Sequence, residues 1–229
     1  SELMDLGYVM YYPMMVIGQK MVTGIDSYLL IAIPLFILAG NLMNAGKITD
    51  KIFSFAKELV GWIPGGLGHA NIVASIIFAG MSGSAAADAG GLGTIEMEAM
   101  TKNGYDDDFS GAVTAASSVI GPIFPPSIPL IIYGATASVS VAKLFMGGVL
   151  PGLLMGVALM VLVFIFAIKY KFERHPFRVA ALIRQFFGSI LSLITPLIIL
   201  AGFTTGWFTP TEASSIAVAY SLIIALIVY

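Results

Sequence analysis

Two short stretches place polar chemistry inside long apolar runs of this sequence. The first reads Gly80-Met81-Ser82-Gly83-Ser84-Ala85-Ala86-Ala87-Asp88-Ala89-Gly90-Gly91, in which two hydroxyls and a carboxylate stand among small residues. The second sets Ser110, Thr114, Ser117, Ser118 and Gly121 at spacings of three and four, one face of a helix, and runs into Gly121-Pro122-Ile123-Phe124-Pro125-Pro126-Ser127-Ile128-Pro129. Hydroxyls and unpaired backbone carbonyls are hard, neutral oxygen donors, the set that holds Na⁺ without fixed charge. A cage is expected from the tip Ser82, Gly83, Ser84 and Ala85, the stripe Thr114, Ser117 and Ser118, and the carbonyls near Gly121 and Pro122. Asp88 has two readings: a cap on the arm that follows it, or a functional carboxylate, since a charge at membrane depth is costly. Single hydroxyls in such stripes also serve helix packing. Asp106, Asp107 and Asp108 read as a capped, solvated helix start, and Glu96, Glu98 and Lys102 as solvent contacts.

The elements that must position these groups follow from composition. The chain has 229 residues, of which 58% are hydrophobic and 10% charged, against roughly 25% charged in a soluble domain. Charge-free runs cover Ser27–Gly46, Leu59–Ala87, Phe109–Ala142, Leu144–Ile168, Gln185–Thr211 and Ala213–Tyr229. About 20 apolar residues cross a bilayer as a helix, so the sequence reads as an all-α polytopic membrane protein in contact with lipid. A soluble globule and a disordered chain are excluded. The net charge of −2, without a basic aromatic face, excludes nucleic acid as a partner. Zero cysteines and only two histidines, His69 and His175, leave no support for a transition-metal site, and no organic cofactor motif is present.

Lys169, Lys171, Arg174, Arg178 and Arg184 are placed in the cytoplasm by the positive-inside rule. Leu144–Ile168 then enters from outside and Gln185–Thr205 leaves again. Tyr28–Met43 is a further span, kinked at Pro34. Thr209-Pro210-Thr211-Glu212 reads as a helix start with a capping box. Ile48–Trp62 and Phe177–Phe187 read as amphipathic helices in the interface. The small-residue tip breaks Gly68–Asn103 into a re-entrant hairpin, since irregular backbone at that depth must be buried in protein. Four prolines in eight residues cannot continue a helix, so Phe109–Ala142 reads as a discontinuous helix.

Together with Ile63-Pro64-Gly65-Gly66-Leu67-Gly68-His69-Ala70-Asn71 and Gly206-Trp207-Phe208-Thr209-Pro210-Thr211-Glu212-Ala213, the tip and Ala115–Ser127 form one ordered set. It closely resembles the large membrane subunit of tripartite ATP-independent periplasmic (TRAP) transporters over nearly the whole chain. The resemblance implies a bacterial or archaeal inner-membrane importer of a small organic anion such as a C4-dicarboxylate or sialic acid. It further implies a sodium gradient as driving force, a periplasmic substrate-binding protein and a small membrane (Q) subunit as partners, and an elevator mechanism. By motif match Ser82–Asp88 is the first hairpin tip, and Gly121–Ser127, including Pro122, Pro125, Pro126 and Ser127, the first unwound helix.

On this reading residues 1–62 hold scaffold helices and an interfacial arm. Residues 63–142 hold transport elements, with the hairpin about 68–103 and the broken helix about 106–137. Residues 143–184 supply a spanning helix and a basic interfacial arm, and 185–229 begin the second-half scaffold. Only one tip and one proline break occur, so the chain is expected to be one half of an inverted repeat, cut from something larger. The alternatives are a stand-alone sodium/carboxylate symporter of related fold and a non-transporting membrane assembly subunit. An intramembrane enzyme built on Ser84 and Asp88 lacks a histidine or lysine base, so no enzymatic activity is expected.

Overall fold

Apolar content sets the class and caps set the boundaries. The computed structural model describes residues 17–19, 21–22, 27–170, 172 and 176–228. Every element from Tyr28 onward among them is helical. A 3₁₀ turn, Tyr28–Ile31, leads into α1, Ala32–Ala45. Pro34 falls just after this junction, so its missing N–H coincides with the change of helix type at the start of the span. Helix α2, Ile48–Val60, is amphipathic, and its apolar residues Ile48, Ile52, Phe53 and Ala56 are buried against α3 and α9. The Ser189 hydroxyl of α9 donates to the Lys51 carbonyl at 2.9 Å.

Helix α3, Gly66–Ser82, ends at Gly83. The chain then returns through α4 (Ala85–Ala87), a π turn (Asp88–Leu92) and α5 (Gly93–Lys102), which together form one return arm. Helix α6, Asp107–Ser118, is capped by the Asp106 carboxylate, which accepts from the Asp108 and Phe109 N–H groups at 3.0 and 3.3 Å. Residues 119–127 are not helical, and α7, Ile128–Ala137, follows. Helix α8, Val141–Tyr170, is the longest, and α9 covers Val179–Thr205. The helix expected over Phe177–Phe187 is not separate: from Val179 it forms the first turns of α9, because no proline interrupts the helix until Pro196 and Gly188 is carried within it. Helix α10, Pro210–Ile223, begins with the expected capping box and runs on into a π turn, Ile224–Val228.

Four stretches are long and apolar enough to cross a membrane: Tyr28–Ala45, Val141–Tyr170, Val179–Phe203 and Pro210–Ile227. The helices α3 and α7 are apolar but shorter. The chain is thus a multi-pass membrane protein. Lys171, Glu173, Arg174 and His175 of the basic segment lie outside the described residues.

Two apolar cores hold these elements. One gathers Ile52, Phe53, Phe78, Met81, Leu92, Met100 and Ile120, joining α2, α3, the return arm and the residues after α6. The other gathers Phe36, Ile131, Phe145, Phe203 and Ala217, joining α1, α7, α8, α9 and α10. Within the second, the Thr211 hydroxyl donates to the Tyr28 carbonyl at 3.0 Å, tying α10 to the start of α1.

Candidate functional site

Gly83 decides the shape of the tip. Its φ of +63° ends α3, and its N–H donates to the Ala79 carbonyl. An L side chain is strained at that φ. Ser84 then restarts the helix: its hydroxyl accepts from the Ala87 N–H at 3.3 Å. Ser82, the last residue of α3, is fully buried, and its hydroxyl has no hydrogen-bond partner.

The proline break meets this tip directly. A Cβ on Gly83 would lie 2.4 Å from the Pro126 carbonyl oxygen. The Ile128 N–H donates to the Gly83 carbonyl at 3.3 Å. A Cβ on Gly121 would lie 3.2 Å from the Ser84 carbonyl carbon and 3.4 Å from the Ala85 nitrogen. Pro125 and Pro126, joined by a cis peptide, carry the chain across this contact. Ser127 braces the break from within: its hydroxyl donates to the Pro122 carbonyl and accepts from the Leu130 N–H. The C-terminal end of α3 and the turn after α6 thus come together with the helix starts at Ala85 and Ile128. Unsatisfied carbonyls at helix C-termini favour cations, and free N–H groups at N-termini favour anions.

The hydroxyl stripe of α6 is only partly aimed at the tip. Asn71 of α3 donates through Nδ2 to the Thr114 hydroxyl at 2.8 Å, and its Oδ1 accepts from the Ser117 hydroxyl at 2.7 Å. Ser75, one turn further along α3, donates to Ser117 Oγ at 3.1 Å. Ser118 donates to the Thr114 carbonyl at 2.8 Å. Thr114 and Ser117 therefore clamp α6 to α3, and Ser118 continues toward Asp88. Asn71 is named from sequence only within the Ile63–Asn71 motif, and neither it nor Ser75 is given a site role there, although their spacing of four puts them on one face of α3.

Asp88 is buried, its carboxylate does not cap the arm, and the Ser75 and Ser118 hydroxyls lie within reach of it. Glu96 corrects the sequence reading outright. Expected in solvent, it is fully buried and also lacks a hydrogen-bond partner, whereas Glu98 is exposed beside Lys102, which holds its carboxyl below the usual range. The sequence alone suggested alternating acids at a polar helix end; packing of α5 against α3 and α6 turns one of them inward.

Helix α8 backs the break with glycines. A Cβ on Gly148 would lie 2.4 Å from the Ile123 carbonyl oxygen, one on Gly152 3.0 Å from the Phe124 ring and one on Gly156 2.6 Å from Ile76. On the other side, α1 reaches the tip. A Cβ on Gly40 would lie 3.2 Å from Ser82 Cβ, and Asn44 donates to the Ala87 carbonyl at 3.4 Å. Among the described residues no group of three or more His, Cys, Asp or Glu gathers to hold a metal. The donors at the tip are neutral oxygens, including the orphaned Ser82 hydroxyl, a set that fits an alkali cation.

Residues 3–229 match the family described as "Tripartite ATP-independent periplasmic transporter, DctM component". The chain is 49% identical over 216 residues to the sialic acid TRAP transporter large permease protein SiaM of Vibrio cholerae, covering 93% of this chain and 50% of that protein. It is 50% identical over 212 residues to the sialic acid TRAP transporter permease protein SiaT of Haemophilus influenzae, 92% of this chain and 34% of the relative. It is 38% identical over 219 residues to the 2,3-diketo-L-gulonate TRAP transporter large permease protein YiaN of Escherichia coli, 95% of this chain and 52% of the relative. The chain spans between about a third and about half the length of these relatives.

Proposed function

This chain belongs to the DctM-component family of tripartite ATP-independent periplasmic transporters, a family of transporters rather than enzymes, and on that premise we propose that it forms part of a sodium-coupled importer of a small organic anion. The anion is of the sialic acid or dicarboxylate class. It is delivered by a periplasmic binding protein to a permease completed by a small membrane subunit, in the inner membrane of a bacterium or archaeon. The names of the relatives, two of which carry sialic acid and one 2,3-diketo-L-gulonate, support an acidic, carboxylate-bearing substrate.

The observation that carries the reading is the contact of two helix breaks, Gly83 against Pro126 and Gly121 against Ser84. Broken helices that meet at membrane depth free carbonyls for a cation and N–H groups for an anion at one place. Sodium is held by the Ser82 hydroxyl with tip carbonyls from Gly83 to Ala85 and break carbonyls near Gly121 and Pro122. The anion lies toward the N-terminal end of the return arm, beside Ser84, since the first N–H groups of α7 are already taken by Gly83 and Ser127. Movement follows an elevator, in which the re-entrant hairpin and broken helix slide along α1 and α10. The hydroxyls of Thr114 and Ser117 serve this by holding α3 to α6, the packing role expected of an assembly element.

The test is uptake by the full-length permease with its small subunit, reconstituted in vesicles. The reading predicts uptake only with an inward sodium gradient and added binding protein, and a rise of at least 10-fold in the sodium concentration required by Ser82→Ala. Uptake without binding protein overturns the tripartite version, and uptake without sodium overturns the coupling.

A further inference from the structure

Asp88 and Glu96 are eight residues apart. In a regular α-helix that offset leaves two side chains about 80° apart round the axis. The π turn Asp88–Leu92 lies between them, and its wider loop absorbs one residue. The effective offset becomes that of about seven residues, close to two full turns. The backbone thus brings both acids to one inward face, between α3 and α6.

Their surroundings are unusual for carboxylates. Asp88 is 1% and Glu96 0% exposed; Glu96 has no hydrogen-bond partner, and among the described residues the only groups that approach Asp88 within hydrogen-bonding reach are serine hydroxyls. Neither acid has a salt-bridge partner among the described residues, and the charge that acts on Glu96 is that of Asp88. An isolated carboxylate buried without a partner costs far more than a fold tolerates, and two within electrostatic reach cost more still. A second observation concerns neighbouring oxygens. The Ser75 and Ser118 hydroxyls lie against the Asp88 carboxylate. Their protons are already directed elsewhere, to Ser117 Oγ at 3.1 Å and to the Thr114 carbonyl at 2.8 Å. Both hydroxyl oxygens keep lone pairs beside the carboxylate, which a positive ion uses together with it.

We propose that Asp88 and Glu96, with the hydroxyl oxygens of Ser75 and Ser118, hold one alkali-metal cation at a site separate from the tip–break contact. Four hard oxygens with no nitrogen or sulfur select an s-block ion, and sodium is the occupant under the sodium-coupled reading on which this inference rests. The site ties α3, α6 and the return arm together. Its occupancy therefore stiffens the hairpin that carries the tip.

The experiment measures ²²Na⁺ bound at equilibrium by the full-length permease with its small subunit in nanodiscs. Glu96→Gln is expected to bind one sodium fewer than wild type, and Glu98→Gln, which changes an exposed acid on the same arm, the full number. Unchanged stoichiometry and affinity in Glu96→Gln overturn the site. So does a Glu96→Gln variant that keeps all its sodium but loses pH dependence, since the pair would then carry a proton. If Glu96→Gln does not assemble, Glu96→Asp replaces it: the shorter acid is expected to weaken one sodium at least 5-fold, and unaltered affinity overturns the site. Wild type that binds no sodium at all refutes the sodium-coupled reading itself.

Discussion

Gly83 bears the strictest demand of any residue in the site. Its φ is +63°, and a methyl group there would stand 2.4 Å from the Pro126 carbonyl oxygen. Gly83→Ala should cost about 1–2 kcal/mol for the left-handed backbone alone and push the break away from the tip. Uptake should fall by at least 10-fold, whereas Gly90→Ala, which meets nothing within 4 Å, should leave uptake unchanged. Asn71 makes a different kind of contribution. Thermal unfolding of Asn71→Ala, Thr114→Val and the double variant should give a coupling of about 1 kcal/mol, as for other hydrogen bonds between membrane helices. Much at this scale is visible in the linear sequence. Ser82, Gly83 and Ser84 suggest a tip because they cluster with further glycines and a carboxylate, more than the small residues of helix packing require. Asn71 and Ser75 do not announce themselves, because a lone amide or hydroxyl in a greasy helix reads as packing until its partner is known. Glu96 misleads for a plainer reason: its neighbours Glu98 and Lys102 do lie in solvent, and only tertiary contact separates them from it.

At the level of elements, the break and its backing form one unit. Gly148, Gly152 and Gly156 lie four residues apart on α8, and each would collide with Ile123, Phe124 or Ile76 if it carried a side chain. Small residues at this spacing let membrane helices approach closely. Gly152→Leu should therefore displace Phe124 and lower the unfolding midpoint of the permease by several degrees, while Leu153→Ala, on the exposed face of α8, should leave it unmoved. The discontinuity of α6 and α7 is legible from its prolines, which remove donors wherever they stand. The π turn is not legible, since Asp88–Leu92 contains no residue that compels it; the widened turn follows from fitting the arm against α3 and α6. The apolar face of α2 has the same ambiguity. Ile52, Phe53 and Ala56 specify a buried stripe, but lipid and protein satisfy it equally, and here α3 and α9 cover it.

Across the whole molecule, α1 belongs to both apolar cores and also meets the tip. Gly40 of α1 faces Ser82 and Ala87, and Asn44 reaches the Ala87 carbonyl and lies over Gly91. If the hairpin slides along α1, a bulky side chain at Gly40 should obstruct it. Gly40→Leu should abolish uptake and also weaken equilibrium sodium binding, since the added side chain presses directly on Ser82, a sodium donor in this account. The all-helical architecture and its membrane location were set by composition, and family membership follows from motifs spread over nearly the whole chain. Which helices cover which faces depended on packing that no single segment encodes.

The central claim is that the tip and the proline break together close over a sodium ion. This chain contains no cysteine, so a thiol placed at Ala86, exposed beside the tip, reports on that closure in a full-length permease freed of any cysteines elsewhere. The measurement is the rate at which Ala86→Cys reacts with a small water-soluble maleimide in sodium and in potassium. Closure over sodium predicts a rate at least 5-fold slower in sodium than in potassium, and loss of that difference when Ser82→Ala is added. Equal rates in the two ions would contradict it.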